Sequence, residues 1–201
     1  MGIYLVSVGA EDWFGGAGDE DDEGGHGAVA AALDAELRRR GRAPYTSVPE
    51  RTGLVRGSGQ SFEEKLVPPM DGFGELCREH LSEREAGLLL SWSVLVPLSL
   101  DEEIRLPVEN AYADETTVAG APQVLALAER MAAAIRLPVD VIPEACDNLD
   151  LTMWFLEGAA ERAATARPGP WAEDLDAAFY VALYLRAAQH SVRRGCPMTY
   201  C

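Results

Sequence analysis

The stretch "WAEDLDAAFYVALYLRAAQHSVRRG" (residues 171–195) decides the fold. Between Ala177 and Ala188 it is apolar nearly all round. A helix that is apolar on every side needs cover on every side, so the stretch predicts a helix inside a bundle. Acids in its first turn and Arg193 and Arg194 in its last turn complement the helix dipole. The same apolar character would suit a homodimer interface if one face of the helix were exposed.

Two more helical segments precede this stretch. "APQVLALAERMAAAIRLP" (121–138) carries an apolar stripe at helical spacing and has proline near both ends. "DNLDLTMWFLEGAAERAATARPGP" (147–170) predicts a helix that starts on a cap at Asp147 or Asn148. Residues 118–201 are therefore predicted to be mainly helical.

The first half of the chain alternates strand and helix patterns. "IYLVSVGA" (3–10) is nearly continuously apolar and predicts a strand buried on both faces. "GAVAAALDAELRRRG" (27–41) is typical of an amphipathic helix. Further strands are predicted around 90–97 and within 102–109, where Pro107 favours a sheet edge or a strand end.

The predicted fold class is α+β. A small mixed sheet from the N-terminal half (1–117) packs against a mainly helical C-terminal half (118–201). We find no linker, so residues 1–201 are expected to form a single domain in which the helical half is not independent. Within the first half, Ser61 and Glu64 have the spacing of a capping box, which predicts a short helix beginning there.

Composition narrows the range of partners. The chain has 201 residues, 48% of them hydrophobic, and a net charge of −16. A surface with this much negative charge repels phosphate backbones and anionic lipid headgroups, which argues against nucleic-acid and membrane binding. A basic protein surface or a small molecule is the expected partner, and no cofactor motif is found.

The N-terminus and the cysteines indicate a cytoplasmic protein. "MGIYLVSVGA" lacks the basic region and the long apolar run of a secretory signal. No Cys-x-x-Cys pair occurs, and reduced thiols are expected at Cys77, Cys146, Cys196 and Cys201. Cys196 and Cys201 could alternatively bridge a small terminal loop.

The segment "GGAGDEDDEGGHG" (15–27) places five consecutive acids among six glycines. Asp19, Asp21 and Asp22 could ligate a hard divalent cation. Contiguous acids, however, direct alternate side chains apart, and His26 is a poor ligand for such an ion. The favoured interpretation is a solvated loop whose charge complements the dipole of the following helix.

Just before this loop, "GAEDWFGG" (9–16) sets two aromatic residues beside two acids. Trp13 and Phe14 are candidate ligand-binding residues, and Asp12 is a candidate catalytic carboxylate. The loop follows the first strand at its C-terminal end, where open α/β sheets bind ligands. In the alternative, both aromatic rings tuck under the loop as part of a small core.

Two other segments contain candidate site residues. In "VRGSGQSFEEKLVPPMDGFG" (55–74), Arg56 and Ser61 suggest a weak anion site at a helix start. Lys65 in the same segment could act as a base or nucleophile if buried, or form a surface ion pair with Glu63 or Glu64.

In "RLPVENAYADETT" (105–117), Glu109 is a candidate catalytic carboxylate and Tyr112 a candidate ligand contact. The alternative interpretation is an ordinary solvated turn.

Two functions follow from these patterns. The leading hypothesis is a binding or regulatory protein that engages a basic protein partner through the acidic loop and Trp13-Phe14. The rival is a hydrolase or transferase that uses a carboxylate pair, either alone or with a divalent ion. The rival requires Asp12, Glu64 and Glu109 to lie in one cleft.

Overall fold

The computed structural model describes residues 2–15, 26–51, 53, 55–110 and 112–201. The strands of this part of the chain are β1 (Ile3–Ser7), β2 (Glu63–Leu66), β3 (Val94–Val96), β4 (Ile104–Leu106), β5 (Thr116–Gly120) and β6 (Met198–Tyr200). Its helices are α1 (Ala10–Phe14), α2 (His26–Arg39), α3 (Asp71–His80), α4 (Glu83–Leu90), α5 (Ala121–Ala134), α6 (Asp150–Leu156), α7 (Ala159–Ala166) and α8 (Leu175–Arg194). The α+β prediction is confirmed.

The strands form one mixed sheet in the order β2-β1-β6-β3-β5-β4. Only the β3–β5 pair is parallel among these neighbours, and the other four pairs are antiparallel. β6, from the C-terminal end of the chain, lies between β1 and β3. The sheet is therefore not built from the N-terminal half alone, and the last strand joins its two parts.

Two apolar clusters cover the two faces of the sheet. On β3, Leu95 belongs to the cluster formed with α3, α5 and α8, whereas Val94 and Val96 belong to the cluster formed with α2. Successive strand residues point to opposite faces, so β3 is buried on both sides. Burial on both faces was predicted for the strand within residues 3–10. That prediction is wrong, because β1 buries Leu5 fully but leaves Ile3 43% exposed.

The long apolar stretch forms α8, which is buried as predicted. Thirteen of its 20 residues are buried, mainly against α5 and α3. Asp174 caps its first turn by accepting a hydrogen bond from the Ala177 N–H at 2.9 Å. Gly195 ends it in the left-handed region at φ 69°, where glycine is favoured. The chain itself covers the apolar face that a homodimer through this helix would have used.

One local prediction is wrong, and another is confirmed only with shorter bounds. Ser61 and Glu64 do not begin a helix, because residues 63–66 pair with β1 as strand β2. The capping box lies instead at Ser82 and Glu85, at the start of α4. The strand expected around 90–97 spans only Val94–Val96, because α4 continues to Leu90.

The predicted helix over 147–167 is two helices with a different cap. α6 starts at Asp150, and Gly158, at φ 79°, separates it from α7. Neither Asp147 nor Asn148 caps it. The N-terminal N–H groups of α6 are satisfied by a carboxylate from β2, as described below.

None of the helices in the described ranges combines the length and hydropathy needed to cross a membrane.

Candidate functional site

A cleft of about 830 Å³ opens at the C-terminal end of β1. The residues that line it include Val6, Val8, Phe62 and the segment 49–51. Ala10 N–H donates to the Pro49 carbonyl at 2.9 Å, which holds that segment against the start of α1. Gly9 allows this approach, because a Cβ there would lie 2.8 Å from the backbone nitrogen of Arg51.

Acidic side chains outnumber basic ones around the cleft. We call Glu11, Asp12, Glu50 and Glu63 the acidic rim; the first three are exposed and Glu63 is partly exposed. The arginines that line the cleft are Arg51 and Arg194, besides the imidazole of His26. Arg51 pairs with Asp12 at 3.6 Å, but both side chains are well exposed. Such a pair contributes at most about 1 kcal/mol, so the entrance stays attractive to cations.

The two aromatic candidates of α1 have opposite environments. Trp13 is 1% exposed and packs against His26 and Tyr45, with ring centroids 6.3 and 6.0 Å apart. Its ring therefore anchors α1 to the core. Phe14 is 46% exposed and stands on the same short helix as two residues of the acidic rim. Of the pair, Phe14 is the one that a partner can contact.

Glu64 is a structural carboxylate. It is fully buried, and its two oxygens accept hydrogen bonds from the Leu151 N–H, the Thr152 N–H and the Thr152 hydroxyl, at 2.7–2.8 Å. Burial raises the pKa of Glu64, and the bonds from Thr152 and Leu151 only partly offset this effect. The side chain thus closes the N-terminus of α6 and does not reach the cleft.

The loop at residues 58–61 does bind an anion, but the anion is Asp147 of the same chain. The buried Asp147 carboxylate accepts from the Gly59 N–H at 2.9 Å, and from the Ser61 N–H and hydroxyl at 3.1 Å each. Ser58 Oγ donates to it as well, at 3.3 Å. Burial alone would raise the pKa of Asp147, but these hydrogen bonds outweigh it and lower the pKa. The predicted anion site is therefore occupied from within.

Arg56 and Lys65 lie outside the cleft. Arg56 pairs with Asp150 at 3.4 Å and is largely exposed. The Lys65 ammonium lies 5.6 Å from the centroid of the Tyr4 ring, on the face of β2 opposite to Glu64. Of the residues predicted in segment 55–74, only Ser61 lines the cleft.

Glu109 and Tyr112 belong to a turn at the far edge of the sheet. Both follow β4, and β6, β3 and β5 separate them from β1. The Asn110 side chain organises the turn by accepting from the Tyr112 and Ala113 N–H groups at 2.9 and 3.1 Å. Asp12, Glu64 and Glu109 therefore do not share a cleft, which was the geometry that the enzyme hypothesis required.

The metal hypothesis concerned Asp19, Asp21 and Asp22, which lie outside the described residues. Among the residues that are described, no group of three or more His, Cys, Asp or Glu side chains is placed to hold a metal ion.

The terminal cysteines do not form a bridge. β6 separates Cys196 from Cys201, and Cys201 is hydrogen-bonded to Tyr4 at the other end of the ladder. Five steps of extended chain place their Cα atoms about 16 Å apart, whereas a disulfide needs less than about 7 Å. Both are free thiols, and both line the cleft.

His190 lies near the C-terminal end of α8, where a protonated imidazole would complement the helix dipole. The ring is nevertheless 3% exposed and packs on Phe62, with ring centroids 5.6 Å apart. Burial, together with the smaller effect of the Arg193 and Arg194 charges, lowers the pKa of His190 to about 4. The imidazole is therefore neutral at pH 7.

Of the residues predicted from the sequence, Asp12 and Ser61 line the candidate cleft and Phe14 lies on the helix beside it, whereas Glu50, Glu63 and Arg194 were not among the predicted site residues. Glu50 lies in a segment without a recognisable pattern. Arg193 and Arg194 both lie in the last turn of α8, where a cation complements the helix dipole, so the sequence does not distinguish them. Adjacent helical residues point about 100° apart, so only the packing of α8 shows which arginine faces the cleft.

No protein-family model matches the sequence, and neither a curated protein nor a solved structure shows significant similarity to it.

Proposed function

We propose that the protein is a binding protein that engages a basic partner at the cleft beside α1. The acidic rim carries this proposal, because four carboxylates surround an 830 Å³ cleft with two arginines among its lining residues. Complementary charge mainly increases the association rate and the specificity of a complex.

Two further observations support this site. Phe14 offers an exposed aromatic ring next to the acidic rim, and aromatic residues are enriched at interface centres. Gly15 and His26, which both line the cleft, join the acidic segment 16–25 to the fold. The net charge of −16 favours the same class of partner.

We also propose that the protein acts in the cytoplasm, which is a reducing compartment. Support comes from the four cysteines, which are all free thiols, three of them buried.

The test uses a fluorescent, amidated arginine-rich peptide and measures its anisotropy at low and moderate salt. One variant neutralises the acidic rim (E11Q/D12N/E50Q/E63Q). A matched control neutralises four acids outside the cleft, on α3, α5 and the segment before α8 (E75Q/E79Q/E129Q/E173Q). We expect the first variant to weaken binding at least about tenfold and the control less than about threefold, since a tenfold change is 1.4 kcal/mol.

A third variant, Phe14→Ser, tests the aromatic contact without changing the charge. Weaker binding by this variant at both salt concentrations is expected, because an apolar contact is not screened. Equal weakening by the two charge variants would show that net charge alone attracts the peptide. That result, or no binding by the wild type, would overturn the proposal.

A further inference from the structure

Arg194 is an arginine of the cleft that forms no ion pair with the described part of the chain. It is the last residue of α8 and lines both the cleft and a neighbouring hollow of about 600 Å³ formed in part by residues 57–60. Its Nε atom is buried and has no hydrogen-bond acceptor within the described ranges.

The neighbouring cations are already paired. Arg193 lies 3.4 Å from the Gly59 carbonyl and 3.7 Å from Glu144, and Arg51 pairs with Asp12. A guanidinium has five N–H donors, and a buried donor without an acceptor costs free energy. A ligand in the cleft cannot reach the buried Nε atom. Arg194 as a whole is partly exposed and lines the cleft, so its terminal guanidinium N–H groups are the donors available to an oxyanion there.

We propose that Arg194 binds the carboxylate of a ligand that also carries a cationic group, such as the C-terminal end of a basic peptide or a free basic amino acid. The guanidinium fork matches a carboxylate with two parallel hydrogen bonds. A phosphate dianion would be repelled by the acidic rim. A ligand that has both a carboxylate and a cationic group can pair its carboxylate with Arg194 and its cationic group with the acidic rim. The requirement for a cationic group rests on the proposed function, and the requirement for a carboxylate rests on Arg194.

Ser7 supplies a second donor in the same cleft. Its Oγ accepts the Phe62 N–H at 3.0 Å, which leaves the hydroxyl hydrogen to be donated to a bound carboxylate. The two donors come from α8 and β1, two elements packed in the core, so the site is held in place before the ligand binds.

Isothermal titration of one basic peptide, as the free acid and as the C-terminal amide, tests the inference. We expect the free acid to bind wild-type protein at least about tenfold more tightly, as a charge-assisted bidentate pair allows. This difference should disappear in Arg194→Gln and persist in Arg193→Gln, which removes the same charge one residue away. L-Arginine and agmatine, which lacks the carboxylate, form the corresponding small-molecule pair.

The two pairs of probes identify the source of the carboxylate. Discrimination only between the peptides indicates a polypeptide C-terminus, and discrimination between L-arginine and agmatine indicates a free amino acid. Equal binding within both pairs would overturn the role of Arg194 while leaving the acidic rim as a cation site. No binding of any probe would overturn both proposals. The comparison on wild-type protein requires no variant, and thermal melts verify that Arg194→Gln is folded.

Discussion

The carboxylate of Glu64 accepts hydrogen bonds from both the backbone N–H and the hydroxyl of Thr152, at 2.8 and 2.7 Å. A side chain of the edge strand β2 thus takes the place of an N-cap for α6. The backbone of β2 is bonded to the same region, since the Glu63 N–H donates to Cys146 and the Leu149 N–H donates to Glu63. These bonds cover the outer edge of the sheet, which would otherwise be open to pairing with another chain.

Removal of the Glu64 carboxylate is expected to destabilise the protein. In Glu64→Ala, the Leu151 and Thr152 N–H groups are left buried without acceptors, which costs about 1–3 kcal/mol each. Urea denaturation should show a loss of at least about 2 kcal/mol. Glu63→Ala, one residue away at the cleft, should change the free energy of unfolding by less than about 0.5 kcal/mol. Equal effects of the two substitutions would contradict the structural role of Glu64.

Asp147→Ala should release the loop at 58–61. The Gly59 and Ser61 amides lose their acceptor, so their hydrogen exchange should accelerate, while that of amides in α8 should change little. Because the folded-state pKa of Asp147 is lowered, its stabilising effect is complete above the unfolded pKa near 4 and is lost as pH falls through the folded pKa. The variant should therefore lose less stability than wild type below pH 4. Unchanged exchange at Gly59 and Ser61 would be inconsistent with the observed hydrogen bonds.

His190 should make the protein sensitive to mild acid. Its pKa is about 4 in the folded state and 6.5 when unfolded, so the unfolded state binds the proton first as pH falls. Stability from the neutral ring is complete above pH 6.5 and declines by about 3 kcal/mol as pH falls to 4. His190→Gln should remove this part of the pH dependence in urea denaturation. The matched control variant is His80→Gln, which replaces an exposed imidazole.

Thiol reactivity should separate Cys201 from the other cysteines. Burial raises the pKa of all four thiols, but Cys77, Cys146 and Cys196 are buried, whereas Cys201 is exposed to a reagent. A thiol-specific reagent should modify one cysteine rapidly in native protein and four in denaturant. Cys201→Ser should eliminate the rapid phase. Two unreactive cysteines in denaturant without reductant would indicate a disulfide, contrary to the spacing along β6.

Structural features that depend only on residues close together in the sequence could be predicted from it. The apolar stretch 171–195 predicts α8 because burial on every side leaves a compositional signal within one helix. The edge position of β4 follows from Pro107 for a similar local reason. β6 was missed, because three residues leave no periodic pattern and its partners on β1 lie about 190 residues earlier.

The roles of charged residues could not be predicted in the same way. Glu64 was expected to begin a helix, and Asp147 to cap one, because both residue types favour those positions. In the fold, each satisfies N–H groups about 90 residues away in the sequence. A carboxylate accepts from any donor that packing brings near, so its partner is a property of the tertiary structure.

The sequence by itself determined the fold class, the buried final helix and the strongly acidic character of the protein, because each depends on composition or local periodicity. Only the tertiary structure decided which acids are structural and which form the acidic rim. It also decided that Arg194, rather than Arg193, faces the cleft. The physical reason is that burial and hydrogen bonding depend on which distant segments of the chain pack together. The residues next to an ionisable side chain in the sequence do not show which residues it will contact in the fold.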